Sequence, residues 1–217
     1  MTSPNTVAVL PAFNEAKTIG TQVRSLLPLV STVIVVDDRS TDDTARTAGD
    51  AGAFVVRHEK NTGYDDSLND GFKAAASLGA DIIFTFDADG EHDAADVPLV
   101  LAPLLQGTAD IVAGQRPCVR HWGERIFAAY TRFRYGVSDP VCGFKAYRRE
   151  VYEAVGFFDS FRSIGTELMI RGVGKGFRLA LVPITLHERV DGRSRFYSFN
   201  LRGNMRMLRA LWHVLWI

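Results

Sequence analysis

Cysteine is scarce in this sequence: only Cys118 and Cys142 occur among 217 residues, and neither has a CxxC or CxxH neighbour. This pattern excludes a disulfide-rich secreted scaffold and argues against a zinc site, so we expect a reducing compartment. No apolar run approaches the roughly 18 residues of a membrane-spanning helix. The polar residues at positions 1–5 also lack the charged leader and apolar core of a signal peptide. We therefore expect a cytoplasmic chain without a membrane span.

An excess of charge of one sign is also missing, because 25 Lys and Arg residues balance 25 Asp and Glu residues. No global field then attracts a polyanion, so we expect no nucleic-acid partner, and any contact with a bilayer must come from a local patch. Hydrophobic residues make up 47% of the chain and charged residues 23%, which excludes a disordered protein. The length favours one compact domain with a large core.

Strand and helix patterns alternate along the first half of the chain. Short β-branched runs are each followed by a polar turn and then by apolar residues at helical spacing. This alternation predicts a parallel sheet covered by helices on both faces, with ligands at the carboxyl ends of the strands. The predicted strands are 7–10, 33–36, 54–57, 81–86 and 111–113, and the predicted helices are 14–27, 40–50, 67–78 and 96–105.

The second half is less regular. It predicts a helix with flanking loops within 117–134, an extended segment over 137–147, a helix over 164–172, and strands at 178–182 and 184–188 on either side of Pro183.

The most informative motif is an apolar strand that ends in three alternating carboxylates, Asp87, Asp89 and Glu91. Two carboxylates separated by one residue can approach a single hard cation, and Mg²⁺ in such a site keeps positions open for phosphate oxygens. The alternative is a solvated acidic turn that caps the helix beginning at Asp96. Because the motif falls at the carboxyl edge of the predicted sheet, we favour the cation site.

Two further strand ends carry carboxylates. The strand at 33–36 runs into Asp37 and Asp38, and a carboxylate there can accept hydrogen bonds from a nucleobase or a ribose. The first strand ends at Pro11 and exposes Glu15 at a helix start. Helix capping is the alternative for the polar residues after Asp38. The GxGxxG fingerprint of dinucleotide-binding folds is missing after the first strand.

Together these motifs resemble the family 2 glycosyltransferases of the GT-A fold, and most closely the dolichyl- and polyprenyl-phosphate sugar synthase branch. The resemblance covers roughly residues 5 to 197 and rests on Pro11-x-x-Asn14-Glu15, Asp37-Asp38-x-Ser40-x-Asp42-x-Thr44, Asn61-x-Gly63 and Asp87-x-Asp89. It implies one α/β domain with a central, mainly parallel sheet. Residues 1–115 would form the nucleotide and metal half, residues 116–199 the acceptor half, and residues 200–217 an amphipathic C-terminal helix.

The same resemblance implies roles for individual residues. Glu15 would meet the ribose and Asp38 the base of a UDP- or GDP-linked sugar. The implied nucleotide pocket contains Pro11, Asn14, Glu15, Asp38 and Asp87. The implied ligands of Mg²⁺ or Mn²⁺ are Asp87, Asp89 and Glu91. The residues implied in catalysis are Asp89, Arg116, Glu167 and Arg189, and those near the acceptor are Cys142, Gly143, Lys145, Ser194 and Arg195.

Three positions depart from the branch's pattern. Cys142 stands where relatives carry Ser, which removes a strong hydroxyl donor. Arg195 replaces Lys and offers a planar fork suited to phosphate. Asp65 stands where relatives tend to have glycine, so we expect a differently shaped loop near the donor.

The acceptor decides whether the reaction needs a base. A hydroxyl nucleophile requires a carboxylate within about 2.6–3.2 Å, whereas a lipid phosphate is already ionised and requires cations to orient it. The sequence offers many arginines here, and Glu167-Leu168 lacks the following Asp of the hydroxyl-using type. The leading prediction is therefore an inverting, metal-dependent sugar transfer from a nucleotide sugar to a polyprenyl phosphate. Inversion is implied by the resemblance alone.

Three rivals stay open at this point. The first is transfer to a hydroxyl, with Glu167 or Asp139 as base; otherwise Glu167 is a structural partner of an arginine. The second is a nucleotidyltransferase, and the third is a nucleotide-binding scaffold without turnover, which Asp65 and Cys142 suggest. The sequence leaves the sugar, the base, the metal and the oligomeric state open.

The C-terminal segment indicates where such an enzyme would act. Basic residues recur there at helical spacing beside an apolar stripe that ends at Trp212 and Trp216. A helix of this kind can lie in a bilayer interface, gaining roughly 1 kcal/mol per basic residue near anionic lipid. The alternative is that its apolar face packs on the domain or on a second subunit. We expect a peripheral protein on the cytosolic face of a membrane.

Overall fold

Seven strands form one sheet in the computed structural model, which describes residues 3–117, 122–189 and 201–217 apart from the side chains of 201–204 and 206. The strands are β1 (Thr6–Ala12), β2 (Thr32–Asp37), β3 (Phe54–Arg57), β4 (Ile82–Thr85), β5 (Ile111–Gln115), β6 (Lys145–Arg148) and β7 (Leu179–Pro183). Their order is β3-β2-β1-β4-β6-β5-β7, and β6 runs antiparallel to both neighbours while every other pair is parallel. The mainly parallel α/β sheet is thereby confirmed.

Eight α-helices cover this sheet in the described residues. They are α1 (Ile19–Leu26), α2 (Thr44–Asp50), α3 (Tyr64–Ser77), α4 (Val97–Leu105), α5 (Trp122–Tyr135), α6 (Arg149–Val155), α7 (Glu167–Gly174) and α8 (Leu201–Val214). None of them is both long and apolar enough to cross a membrane.

The sequence of the central strands explains their position. Val7–Leu10 of β1 and Val33–Val36 of β2 are fully buried, so both faces of each strand lie in a core. One core lies on the side of α3, α5, α6, α7 and α8, and the other on the side of α1, α2 and α4. Strands that carry β-branched residues on both faces suit this doubly covered arrangement.

The strand order places a topological switch point between β1 and β4. The chain runs outward from β1 through β2 to β3 and then returns to the other side of β1 with β4. Ligands of open α/β sheets bind in the crevice outside the carboxyl ends of the strands at such a point. The crevice here receives the loops that follow β1, β2 and β4.

Several predicted boundaries were wrong. The first helix begins at Ile19 rather than 14, because Asn14 has a left-handed φ of 53° and the chain makes a turn before it can enter the helix. The strand predicted at 184–188 is reduced to a single bridge between Leu186 and His92. The neighbouring strand β5 ends at Gln115, and Gln115 already pairs with Pro183, the last residue of β7. In the described part of the chain, residues 184–188 therefore have no strand beside them on which the ladder could continue.

The short helix α6 was missed. It lies directly after β6, between the extended segment predicted up to residue 147 and the helix predicted from residue 164, where the sequence yields no prediction. Gly156 ends it with a left-handed φ of 90°, the conformation that glycine adopts without strain.

Candidate active site

One cavity of about 900 Å³ opens at the carboxyl ends of β1, β2 and β4. The sheet brings together residues that lie far apart in the sequence, because parallel strands end at the same edge. The predicted site residues that line it are Pro11, Glu15, Asp38, Asp87, Asp89, Glu91, Arg116, Gly143 and Arg189.

Asp38 holds the loop that forms one wall of this cavity. Its carboxylate accepts hydrogen bonds from the backbone N–H groups of Thr62 (2.7 Å) and Gly63 (2.8 Å), and His58 Nδ1 lies 2.9 Å away. Burial alone would raise the pKa of Asp38, but these hydrogen bonds outweigh it and lower the pKa below its ordinary value. The Thr62 hydroxyl is a further donor, 3.3 Å from Oδ1, so three of these contacts fall on Oδ1, whereas Gly63 donates to Oδ2. Accepting capacity toward the cavity therefore lies on Oδ2, since each carboxylate oxygen has about two lone-pair sites.

Asp87 is the first carboxylate after β4, and two neighbours fix it. His92 Nε2 lies 3.0 Å from one carboxylate oxygen, and the Tyr64 hydroxyl donates to the other at 3.3 Å. Burial opposes ionisation of Asp87, yet His92 and the nearby Lys145 lower its pKa. Burial likewise works against the charged form of His92, and Asp87 nevertheless raises the pKa of that imidazole. Each member of this pair therefore favours the charged form of the other.

Gly143 allows Asp87 to occupy this position. A Cβ at residue 143 would overlap Asp87 Oδ2 and lie 2.8 Å from Asp87 Cγ. The Thr85 hydroxyl donates to the Gly143 carbonyl oxygen at 2.5 Å, which ties this loop to the end of β4. The backbone of the predicted acceptor segment thus shapes the predicted metal site.

Asp89, the second carboxylate, faces Arg189. One guanidinium nitrogen of Arg189 lies 2.6 Å from Asp89 Oδ2, and the other lies 3.0 Å from Glu15 Oε1. Asp89 also accepts a hydrogen bond from the Glu91 backbone N–H at 3.0 Å. Burial and the charge of Asp87 raise the pKa of Asp89 to about 7. The raised pKa means that two carboxylates in this cavity repel each other and that Arg189 offsets the repulsion only in part.

This donor set fits a hard divalent cation. No three His, Cys, Asp or Glu side chains in the described ranges converge closely enough to hold a metal by themselves. Mg²⁺ is usually bound by one or two carboxylates and completes its shell with waters and substrate phosphates. Asp87 and Asp89 supply two carboxylates that face one cavity, and Glu91 lines the same cavity.

Arg116 lines the cavity, and two buried carboxylates fix its guanidinium. Its guanidinium forms two hydrogen bonds of 2.7 Å with the Asp139 carboxylate and a further contact with Glu124. All three side chains are almost completely buried. The arrangement ties the end of β5 to the start of α5 and to the loop before β6.

Glu167 lies outside the cavity lining. It is fully buried at the start of α7, and its carboxylate accepts from the Ser160 N–H at 2.6 Å, from the Ser160 hydroxyl and from Arg171 Nε at 2.6 Å. Asn14 is also absent from the lining; its side-chain oxygen accepts from the Thr41 N–H at 2.8 Å and joins two loops. Both residues organise the backbone around the cavity.

The remaining predicted acceptor residues divide into two groups. Cys142 is fully buried, and burial together with the charge of Asp139 raises the pKa of its thiol to about 12. Burial lowers the pKa of Lys145, whose ammonium donates to the Cys142 carbonyl oxygen at 2.6 Å. Neither residue is part of the cavity lining. Ser194 and Arg195 lie outside the described residues.

Comparison with known proteins decides the family. A family profile described as "Glycosyl transferase family 2" matches residues 7–156. The chain belongs to glycosyl transferase family 2. Its membership confirms the resemblance seen in the motifs, and it favours a glycosyltransferase over the nucleotidyltransferase and scaffold alternatives.

Relatives of this family 2 enzyme include proteins with and without a named substrate. An uncharacterised glycosyltransferase of Mycobacterium tuberculosis is 33% identical over 217 residues, which cover 95% of this chain and 96% of that protein. The polyprenol monophosphomannose synthase of Mycolicibacterium smegmatis is 29% identical over 225 residues, which cover 92% and 84% respectively.

A solved structure matches the fold over almost the full length of this chain. Glucosyl-3-phosphoglycerate synthase of Mycobacterium tuberculosis, in complex with Mg²⁺ and uridine diphosphate, has a TM-score of 0.79 and 25% identity, covering 99% of this chain and 80% of that one. Another structure of that synthase holds Mn²⁺, UDP-glucose and phosphoglyceric acid. These neighbours confirm the GT-A-like fold, and their metals agree with the predicted Mg²⁺ or Mn²⁺.

Sequence reasoning missed several residues of the family 2 enzyme's cavity. Tyr64 and His92, which fix Asp87, were not predicted, although each lies directly beside a recognised motif. A further wall of the cavity was not predicted and comprises Phe13, Arg162, Ile164, Leu186, Met205, Met207 and Arg209. Phe13 falls inside the first motif, and Met205 and Arg209 belong to the amphipathic pattern of the C-terminal segment, but nothing in the sequence indicates that these residues meet at the cavity.

Proposed function

We propose that the enzyme transfers a sugar from a nucleoside-diphosphate sugar to a polyprenyl phosphate with inversion at the anomeric carbon, in a metal-dependent reaction. The observation that carries this proposal is the convergence of Glu15, Asp38, Asp87 and Asp89, from three strand ends, on one cavity. Family membership supports the glycosyl transfer, and the polyprenol relative supports the acceptor class.

In this proposal the sugar donor binds on the side of the cavity that residues 1–115 form. Asp38 accepts an N–H of the base through its remaining lone pairs, and Glu15 accepts from the ribose. Asn61 donates to the Asp38 carbonyl oxygen at 3.0 Å, so the wall that meets the base is fixed before the donor arrives. The site is thus preorganised at the nucleotide end.

The diphosphate lies next to Asp87 and Asp89. A bound Mg²⁺ or Mn²⁺ supplies charge neutralisation and a template for the leaving diphosphate. Asp87 is kept ionised by His92, and Arg189 is placed within reach of the same region. Arg189, held beside Asp89 and Glu15, would be in position to donate charge-assisted hydrogen bonds to the phosphate oxygens.

The acceptor needs no base in this proposal. A phosphate monoester is already ionised at neutral pH, so cations that orient it suffice. The two carboxylates considered as bases, Glu167 and Asp139, are both engaged by arginines and neither belongs to the cavity lining. This placement favours a phosphate nucleophile over a hydroxyl.

We also propose that α8 brings the enzyme to a cytosolic membrane surface, where a polyprenyl phosphate resides. Trp212 and Trp216 are 61% and 77% exposed at the end of this helix. Tryptophan at such a position suits the boundary between headgroups and acyl chains.

A soluble phosphorylated acceptor is the second candidate. The structural neighbour glucosyl-3-phosphoglycerate synthase has been solved with phosphoglyceric acid, and its fold covers 98% of this chain. The two candidates differ in the acceptor and share the donor site.

The test is nucleoside diphosphate release in the presence of Mn²⁺. The full chain is incubated with UDP- and GDP-sugars, alone and with a short-chain polyprenyl phosphate, phosphoglyceric acid or a sugar alcohol. The proposal expects release that rises with the polyprenyl phosphate in particular. Release driven equally by phosphoglyceric acid or by the alcohol would contradict it.

A further inference from the structure

One part of the cavity lining combines two arginines with apolar side chains. Arg162 and Ile164 come from the loop before α7, and Met205, Met207 and Arg209 come from α8. This part of the lining therefore differs in chemistry from the donor side. A ligand that is anionic at one end and apolar behind it would match this wall.

A ring contact brings these two segments together. Phe161 stacks on His213 of α8 with a centroid distance of 4.6 Å. Arg209 lies one helical turn before His213 and so shares its face of the helix, while Arg162 follows Phe161 directly. The two guanidinium-bearing residues therefore belong to the same rim of the cavity.

The backbone of the loop is held in an unusual conformation. Arg162, Ile164 and Gly165 have left-handed φ angles of 61°, 61° and 65°. For a β-branched residue such as Ile164 this is a genuine outlier, and strain of this kind costs about 1–3 kcal/mol unless the surroundings impose it.

Two buried carboxylates impose this conformation. Asp159 accepts hydrogen bonds from the N–H groups of Phe161 (3.1 Å) and Ser163 (3.0 Å), and Asp65 accepts from the Gly165 N–H at 2.8 Å. Asp65, which departs from the glycine of relatives, thus anchors the loop. Strained and over-determined segments concentrate at binding sites, because the strain aims particular side chains.

The cations on this rim are available to a ligand. Arg162 lies 3.7 Å from Asp66, and these side chains are 66% and 45% exposed, so the pair is weak. Arg209 is exposed and also lines the cavity. Beside them, Met205 is 59% exposed, whereas Met207 is nearly buried and continues the apolar wall inward.

We infer that this rim is the acceptor subsite: Arg162 and Arg209 hold the phosphate of an amphiphilic phosphate monoester, and Ile164, Met205 and Met207 hold the first part of its hydrocarbon chain. The inference rests on the proposed function and assigns the acceptor to residues that no motif marks. It also gives α8 a direct part in acceptor selection, in addition to any contact with a bilayer.

Direct binding to the full chain tests the inference without requiring turnover. The probes are farnesyl phosphate below its aggregation concentration, farnesol, inorganic phosphate and phosphoglyceric acid, measured by isothermal titration calorimetry. Farnesyl phosphate is expected to bind at least about tenfold more tightly than each of the others, because only it presents both a charged head and an apolar chain.

Variants separate the two halves of the subsite. Arg162→Gln and Arg209→Gln are each expected to weaken farnesyl phosphate about five- to tenfold, since each removes a charge-assisted hydrogen bond. Met205→Gln is expected to weaken farnesyl phosphate about threefold and to leave inorganic phosphate unchanged. The matched controls Arg132→Gln and Leu215→Gln replace exposed residues that do not line the cavity, and they should bind like the wild type.

The outcomes distinguish this inference from the proposed function. Wild-type affinity in both arginine variants, or a preference for phosphoglyceric acid or inorganic phosphate, would overturn the subsite. If the variants lose affinity while the wild type transfers no sugar to a polyprenyl phosphate, the subsite stands and the proposed function fails. If transfer occurs and the arginine variants bind and turn over normally, the function stands and the subsite fails.

Discussion

At the scale of single residues, the site depends on how tightly the surrounding residues enclose the Asp87 carboxylate. The carboxylate lies against the backbone of residue 143, and His92 and Tyr64 hold it from the other side. Asp87 therefore has little room to move. Its orientation is set by three segments that are distant in the sequence.

Gly143→Ala is expected to displace Asp87 and to lower kcat by about 10²-fold or more, because misplacement by 1 Å can cost that much. The added Cβ would overlap the carboxylate. Steady-state kinetics with Mn²⁺ measure the effect. Gly174→Ala is the matched control, since a Cβ there meets nothing within 4 Å and alanine is a good helix former in the last turn of α7. Equal activity of the two variants would contradict this role of Gly143.

Arg189→Gln is expected to destabilise the metal-free protein by about 2–4 kcal/mol, because it leaves Glu15 and Asp89 without their shared cation. The side chain of Arg189 is only 8% exposed between them. Saturating Mn²⁺ should recover part of the lost Tm, since the metal replaces the missing charge. Thermal unfolding with and without Mn²⁺ measures this, and a Tm difference from the wild type that Mn²⁺ does not reduce would argue against the exchange of charges.

At the scale of elements, α7 carries a buried carboxylate whose role the structure redefines. Glu167 joins the start of α7 to Ser160 and Arg171 and has no place in the cavity lining. The sequence suggested two roles for it, as a base or as the structural partner of an arginine. The contacts favour the second.

Glu167→Gln is expected to lower the free energy of unfolding by about 1–3 kcal/mol, because an amide nitrogen would face donors that now bond to a carboxylate. The value of kcat should stay within about threefold, whereas loss of a general base typically costs 10²–10⁴-fold. Denaturant unfolding and steady-state kinetics with a phosphate acceptor measure the two effects. A large loss of kcat without loss of stability would restore the hydroxyl mechanism.

The first-half strands could be read from the sequence, and so could α5, α7 and β7 to within a few residues, whereas α6 and the antiparallel placement of β6 could not. Runs such as Val33–Val36 predict buried parallel strands, and carboxylates at their ends predict a shared site because parallel strands end at one edge. Strand β6 is short and antiparallel, and its position between β4 and β5 is a tertiary outcome. For the same reason the sequence does not place Arg162 beside Arg209, although Arg209 belongs to the basic pattern of the C-terminal segment.

At the scale of the whole molecule, exposed apolar side chains are frequent on α5, on α8 and on the residues that follow α8. All three tryptophans of the chain, Trp122, Trp212 and Trp216, are more than half exposed on α5, α8 and the residues that follow. Both helices pack into the same core through Phe127 and Met207, so they cover the same side of the sheet. The distribution is that of a molecule with one face suited to an interface.

Replacing Trp212 and Trp216 together by Ser is expected to reduce binding to vesicles that contain anionic lipid by about tenfold or more, because two amphipathic rings leave the interface. The two rings contact each other at 6.0 Å and do not belong to the buried core, so the fold should persist. Cosedimentation with vesicles measures the loss. Leu99→Ser, which changes a 57% exposed side chain on α4, is the control. Equal loss in both variants would argue against a specific face.

Calorimetric titration of UDP and GDP tests whether Asp87 and Asp89 bind a cation together with the leaving diphosphate. The wild type is expected to bind one of these nucleotides at least about tenfold more tightly with Mn²⁺ than without, since a cation held by the two carboxylates would offset the charge of the diphosphate. The double variant Asp87→Asn with Asp89→Asn should lose this dependence while retaining its fold by circular dichroism. Nucleotide binding that does not respond to Mn²⁺ in the wild type, or metal dependence that survives in the double variant, would show that Asp87 and Asp89 do not hold a cation for the diphosphate.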